Sequence, residues 1–212
     1  MGGGTGNDIG TIPTVRTVYT MRHAQNEFGS DDPSLTKRGD WQAVEAARTF
    51  LLNIEFDAVC HGIYTRHRET AKIAEKILGL SCKMIEAPLL ALTKATNDRA
   101  YQCVKMGRNH PEGTSVGFRV DTWFKTDNTL MHYLAQQLQD FFGEIPKTSK
   151  NILAVSSSPV LESLVLKRKE TQLLGHCGII CYTIKNWGKF TSVINSEVIF
   201  EGFFEKPPQK SE

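Results

Sequence analysis

The feature that most constrains this chain is the alternation of two hydrophobic periods along it. Residues 16–21 are rich in β-branched and aromatic side chains and run into a polar stretch, the pattern of a strand opening into a loop. In residues 37–53, Trp41, Val44, Ala47 and Leu51 recur every three or four positions behind Thr36, whose hydroxyl can cap a helix, so that stripe is expected to face the core. A short strand is expected at 57–60, a helix at 66–78 closed by Gly79, and another short strand at 82–85. A strand–helix–strand–helix–strand series needs crossover connections between parallel strands. It therefore predicts an α/β three-layer sandwich, a mostly parallel sheet flanked by helices, with any pocket at the C-terminal ends of the strands.

From 86 to 128 the periodicity weakens, and Gly, Asn, Asp and Pro accumulate through Gly107-Arg108-Asn109-His110-Pro111-Glu112-Gly113. An excursion of that length is expected to form a lid or binding loop that sets specificity. Regular pattern returns as a helix at 129–142, a strand at 151–156, a helix near 160–168, and strands at 178–184 and 192–200. Residues 15–204 are read as a single domain, preceded by a Gly-rich flexible leader at 1–14 and followed by a polar flexible tail at 205–212.

Charge narrows the choice of partners. The formal net charge of +2 is too small to favour a polyanion, so nucleic-acid binding is not expected, and Lys167-Arg168-Lys169 reads as a solvated helix end. Cys60, Cys82, Cys103, Cys177 and Cys181 are odd in number and contain no C-x-x-C pair, which suggests free thiols in a reducing compartment. His176-Cys177 and Cys181 lack a second ligand pair at metal-site spacing, so that segment is read as a buried strand and no metal or other cofactor is expected. No stretch approaches the roughly 20 apolar residues of a membrane span, and no apolar leader core is present, so a cytoplasmic protein without membrane association is expected.

Arg22-His23 stands where the first strand opens into its loop. A neutral imidazole there can attack phosphorus with one nitrogen while a neighbouring carbonyl holds the other, and a guanidinium fork can meet two phosphate oxygens at once. Three ordered segments give the pair its context. Thr20-Met21-Arg22-His23-Ala24-Gln25-Asn26-Glu27 is similar to the Arg-His-Gly signature of histidine phosphatases, with Ala24 where glycine is usual. Leu35-Thr36-Lys37-Arg38-Gly39-Asp40-Trp41-Gln42-Ala43 is similar to the family's L-T-x-x-G-x-x-Q-A stretch, and Arg66-His67-Arg68-Glu69-Thr70-Ala71 to its R-x-x-x-T-A segment. The chain thus resembles the histidine phosphatase, or phosphoglycerate mutase-like, superfamily.

The resemblance implies that His23 accepts the phosphoryl group and that Arg22 and Arg66 clamp it. Asn26 is a further candidate phosphate ligand, and His67 is read as a surface residue. The resemblance also implies a second histidine after a late strand, but residues 152–159 contain none, and Ser157 stands at the matching position. His61, beside the pocket in Cys60-His61-Gly62, is a candidate to replace that imidazole. Glu86 is the carboxylate nearest the expected place of the general acid, with Asp98, His110 and Glu112 as alternatives. The function implied is a metal-independent phosphomonoester phosphatase working through a phosphohistidine at His23. The alternative is a catalytically impaired pseudophosphatase that binds phosphorylated ligands. Either way the partner is a phosphorylated small molecule or a phosphoprotein, and a mutase is disfavoured.

Overall fold

The computed structural model of the protein describes residues 14–187 and 190–204. The leader and tail expected at the two ends lie outside these residues, except Thr14, which already belongs to the first strand. In chain order the described elements are β1 (Thr14–Arg22), α1 (Lys37–Ala46, prolonged by a π-turn over Ala47–Leu51), β2 (Ala58–His61), α2 (Thr65–Leu78) and β3 (Met84–Glu86). After a 3₁₀ turn at Pro88–Leu90 come α3 (Lys94–Arg108), α4 (Thr114–Gly117), α5 (Val120–Thr126), α6 (Asn128–Glu144), β4 (Asn151–Ser156), β5 (Ile179–Trp187) and β6 (Phe190–Phe200).

The described residues form one six-stranded sheet of order β3-β2-β4-β1-β5-β6. The β3·β2, β2·β4 and β4·β1 pairs are parallel, and β1·β5 and β5·β6 are antiparallel. Strand β4 is apolar at every position from Ile152 to Val155 because both faces of the sheet are covered. Ile152 and Ala154 join a core with Trp123, Leu130, Leu134 and Leu138 of α5 and α6. Leu153 and Val155 join a second core with Ala43 and Ala46 of α1 and Ala71 and Ala74 of α2. The result is the three-layer α/β arrangement anticipated from the alternating periods.

The first crossover shows how local chemistry sets the frame for a site. Thr36 Oγ1 accepts the Gly39 N–H at 2.9 Å and so caps α1. Gln42, on the buried side of α1, accepts the Gln25 N–H at 3.0 Å. Gly39 allows the Gln25 carbonyl to lie against the helix, where an added Cβ would stand 2.0 Å from that oxygen. Helix α2 lacks a side-chain cap of its own at Tyr64. Asp32 supplies one from the preceding loop, accepting the Thr65 N–H at 2.6 Å and its hydroxyl at 2.7 Å. Gly79 ends α2 with φ 63°, a left-handed conformation that glycine tolerates.

Four expectations are corrected. The core stripe of α1 is not Trp41 and Val44: Trp41 is 53 % exposed, packs on Phe203 and leaves the buried face to Gly39, Ala43 and Ala46. Residues 86–128 are not irregular but mostly helical, and Val120, Trp123 and Phe124 from this segment are buried in the core. Residues 160–168 are turns rather than helix, because the Ser163 hydroxyl bonds back to the Val160 carbonyl at 2.7 Å and the chain closes i→i+3 bonds there. Lys167, Arg168 and Lys169 are exposed but follow turns rather than a helix, and the Arg168 guanidinium also lies 3.6 Å from the ring centroid of Phe124.

Arg16 and the cysteines complete the frame. Arg16, 2 % exposed, donates to the carbonyls of Phe142, Ile145 and Pro146 and thereby satisfies the C-terminal end of α6. The five cysteines are free thiols, and burial raises the pKa of each, that of Cys60 to about 12.

The packing of Gly39 on Gln25 predicts that Gly39→Ala destabilises the fold by about 1–3 kcal/mol through overpacking. Gly143→Ala, on the exposed side of α6 with nothing within 4 Å of the new methyl, should stabilise by about 0.5–1 kcal/mol. Urea unfolding of the two variants checks both signs.

Candidate functional site

β1 ends at Arg22, and His23 is the first residue of the loop beyond it. The His23 N–H is still held by the Ser156 carbonyl at the end of β4, at 2.9 Å. The imidazole is 6 % exposed, and its Nδ1 lies 2.8 Å from the Ala24 carbonyl. A carbonyl only accepts, so Nδ1 carries the proton and Nε2 presents a lone pair. Burial first, and with it the charges of Arg22 and Arg66, push the His23 pKa well below 6.5. The ring is therefore neutral at neutral pH, the state a nitrogen nucleophile requires.

Thr70 connects α2 to this loop. Its hydroxyl accepts the Ala24 N–H at 3.0 Å and donates to the Arg66 carbonyl at 2.8 Å. This is a physical reason for a threonine four residues after the arginine: it fixes the first turn of α2 against the residue after His23. Glu69 adds a second tie by accepting the Leu35 N–H at 2.8 Å.

The Arg66 charge acts on His23. Its guanidinium rests 4.4 Å from the Tyr64 ring centroid and makes no side-chain hydrogen bond among the described residues, and burial lowers its pKa. Arg22 is also present. One of its Nη groups donates to the Leu174 carbonyl, and behind it lies the wholly buried Glu162. The Glu162 carboxylate accepts from the Ser158 hydroxyl and from the Leu174 N–H at 2.7 Å. Burial raises its pKa, while Ser158, Leu174 and the Arg22 charge oppose the rise. Glu162 thus orders both the loop after β4 and the loop that holds Arg22, a role with no sequence signal beyond an acidic residue in an apolar run.

Two further histidines stand against His23. His67 is 0 % exposed, which corrects its reading as a surface residue; its ring lies 5.4 Å from that of His23, and its Nε2 lies 2.8 Å from Ser157 Oγ. His176, half-buried, lies 5.8 Å from His23 ring to ring. His61 is buried with Nδ1 2.9 Å from the Gly62 carbonyl.

The remaining candidates make other contacts or stand exposed. Asn26 donates its amide to the Glu27 carbonyl at 2.8 Å, which serves its own turn. Glu86 is exposed at the end of the edge strand β3, with β2 and β4 between it and β1. Asp98 and Glu112 are exposed, and His110 lines a separate depression with Gln102 and Thr126.

A cleft of about 510 Å³ adjoins the site. Arg22, Ser158 and His176 line one side; Val104, Arg108, Phe118 and Trp123, all from the 86–128 excursion, line another. No carboxylate stands among its described lining residues, so the cleft suits an anionic ligand with an apolar part.

The sequence profile of the histidine phosphatase superfamily (branch 1) matches residues 18–175. No curated protein matches the sequence. Among solved structures, the phosphoglycerate mutase of Bacillus anthracis str. Sterne is similar at 17 % identity and a TM-score of 0.58, over 85 % of this chain and 92 % of that one. The protein histidine phosphatase SixA complexed with tungstate is similar at 14 % identity and 0.51, over 86 % and 97 %. A phosphoserine phosphatase mutant of Entamoeba histolytica in complex with phosphoserine is similar at 19 % and 0.50, over 87 % and 98 %. Among the described residues no helix is long and apolar enough to cross a membrane.

The burial of His23 and His67 has a pH signature. Both folded pKa values are depressed below 6.5, so below that pH the unfolded chain binds protons that the folded chain does not. Stability from these groups is full above about pH 6.5 and is lost as pH falls, by about 1 kcal/mol per histidine between pH 7.5 and 5.5. Urea unfolding at the two pH values should show this loss, and a smaller loss in His23→Asn.

Proposed function

The chain belongs to the histidine phosphatase superfamily (branch 1), and we propose that it is a phosphomonoester phosphatase whose nucleophile is His23 Nε2. The observation that carries this reading is the state of that imidazole. It is neutral, held by Nδ1 to the Ala24 carbonyl, and placed in the field of Arg22 and Arg66. In the reaction, the Nε2 lone pair forms the N–P bond while the bond from phosphorus to the leaving oxygen breaks, and that oxygen takes the electron pair. His176, on the cleft wall beside His23, is the side chain in place to hand the leaving oxygen a proton. Water then attacks phosphorus as the N–P bond breaks and its electron pair returns to Nε2, a proton of that water passes back to His176, and inorganic phosphate and the neutral His23 imidazole result. The two guanidinium groups offset the charge on the equatorial oxygens in both steps.

The cleft supports a substrate class, a phosphorylated small molecule or phosphoprotein segment with an apolar portion against Phe118 and Val104. The names of the structurally similar phosphatases are in keeping with this reading. The alternative, a protein that binds phosphate without turnover, is favoured by the bond already holding Arg22 to the Leu174 carbonyl.

Turnover of 4-nitrophenyl phosphate decides between them. The wild type should hydrolyse it, and His23→Ala should lower kcat by about 10³-fold or more, as removal of a nucleophile does. An inert wild type that still binds orthovanadate would establish the binding protein instead.

A further inference from the structure

We infer that the Ser157 hydroxyl is a third donor to the phosphoryl group at His23, and that His67 is the positioning residue that turns it there; this rests on the phosphatase reading. The two side chains are 90 residues apart in sequence and 2.8 Å apart in space. The direction of their hydrogen bond follows from the other ring nitrogen. His67 Nδ1 is buried and has no hydrogen-bond partner among the described residues. It faces Gly62, where an added Cβ would stand 2.3 Å away.

A proton on Nδ1 would bury an unpaired N–H, at a cost of about 1–3 kcal/mol. A lone pair there is the smaller loss. The proton therefore sits on Nε2, and Nε2–H donates to Ser157 Oγ. With its oxygen accepting from His67, Ser157 keeps its hydroxyl hydrogen for another acceptor, and the hydrogen bond it receives makes it a stronger donor.

The surroundings hold this arrangement. The first turn of α2 carries His67 and disfavours an imidazolium at a helix N-terminus. The His67 ring stands edge-on to Tyr64 at 5.5 Å and 5.4 Å from His23, so the bonded pair borders the place where a phosphoryl group on His23 would lie. The imidazole absent from residues 152–159 is thus replaced through one intervening hydroxyl, by a residue that approaches from α2 rather than from β4.

The test compares Ser157→Ala, His67→Leu, His67→Gln and the double variant Ser157→Ala/His67→Leu. The readouts are 4-nitrophenyl phosphate turnover and orthovanadate affinity, with thermal melting to confirm folding. Ser157→Ala should lower kcat/KM about a hundredfold, as loss of one transition-state donor does. His67→Leu should lower it about tenfold, and His67→Gln, whose amide N–H can take the place of Nε2–H, should stay within about threefold of wild type. The double variant should be no worse than Ser157→Ala. Additive losses in the double variant, or a glutamine no better than leucine, would overturn the inference. A wild type that binds vanadate without turnover would sink the phosphatase reading alone, and the same ranking in vanadate affinity would then decide the relay; a wild type that binds no vanadate overturns both.

Discussion

Two carbonyls at the end of β4 hold the site together. Ser156 O accepts the His23 N–H at 2.9 Å on one side, and Val155 O accepts the Gly62 N–H at 3.0 Å on the other. The loops leaving β1 and β2 are therefore released from the sheet at the same level, with Ser157 emerging between them. The far end of β4 is fixed as well, since Asp57 accepts the N–H groups of Lys150 and Asn151 at 2.7 and 2.9 Å, and those bonds lower its pKa. A slip of one residue would exchange the Ile152–Ala154 face with the Leu153–Val155 face and carry Ser157 away from His67. The chemistry depends on a strand register, and the register depends on hydrogen bonds at both ends of one short strand.

The electrostatics of the site follow from that convergence. In the proposed reaction Arg22 and Arg66 hold the phosphoryl group, and, after burial, their charges also lower the His23 pKa. A dianion arriving between them offsets the field that depresses the imidazole. On the proposed mechanism the same two guanidinium groups thus serve both the neutral state of the imidazole and the charge on the phosphoryl oxygens. Arg22 plays its part from a framed position, bonded to Leu174 and backed by Glu162, whereas Arg66 leans on an aromatic ring with its N–H groups free of side-chain bonds among the described residues.

Much of this was legible in the sequence where short-range rules act. The Thr36 cap, the Gly79 stop and the bounds of β4 depend on residues a few positions apart, and the Arg22, His23 and Arg66 grouping came from ordered motifs. What escaped depends on contacts across the fold. The stripe of large residues in α1 pointed to Trp41, but α1 and α2 meet through Ala43, Ala46, Ala71 and Ala74, small side chains that let two helices approach and carry little periodic signal. The 86–128 segment has loop-like composition, and the buried side of α3 is Ala100, Cys103 and Gly107, equally quiet as a pattern. His67 could not be read as buried, because its partner Ser157 lies beyond any sequence window. Glu86 is a candidate only by its distance along the chain, and the sheet order places two strands between it and β1.

The raised thiol pKa values have a consequence for how such a site meets oxidative stress. Phosphoryl acceptors made of sulfur work as thiolates, and the thiolate is also the form that peroxide and alkylating agents attack. Here Cys60, Cys82, Cys103, Cys177 and Cys181 are all held toward the protonated form by burial. The group with the available lone pair is an imidazole nitrogen, which peroxide oxidises poorly. A phosphatase of the kind proposed would retain its acceptor under oxidising conditions that silence a thiolate-dependent one, without a reducing partner to restore it.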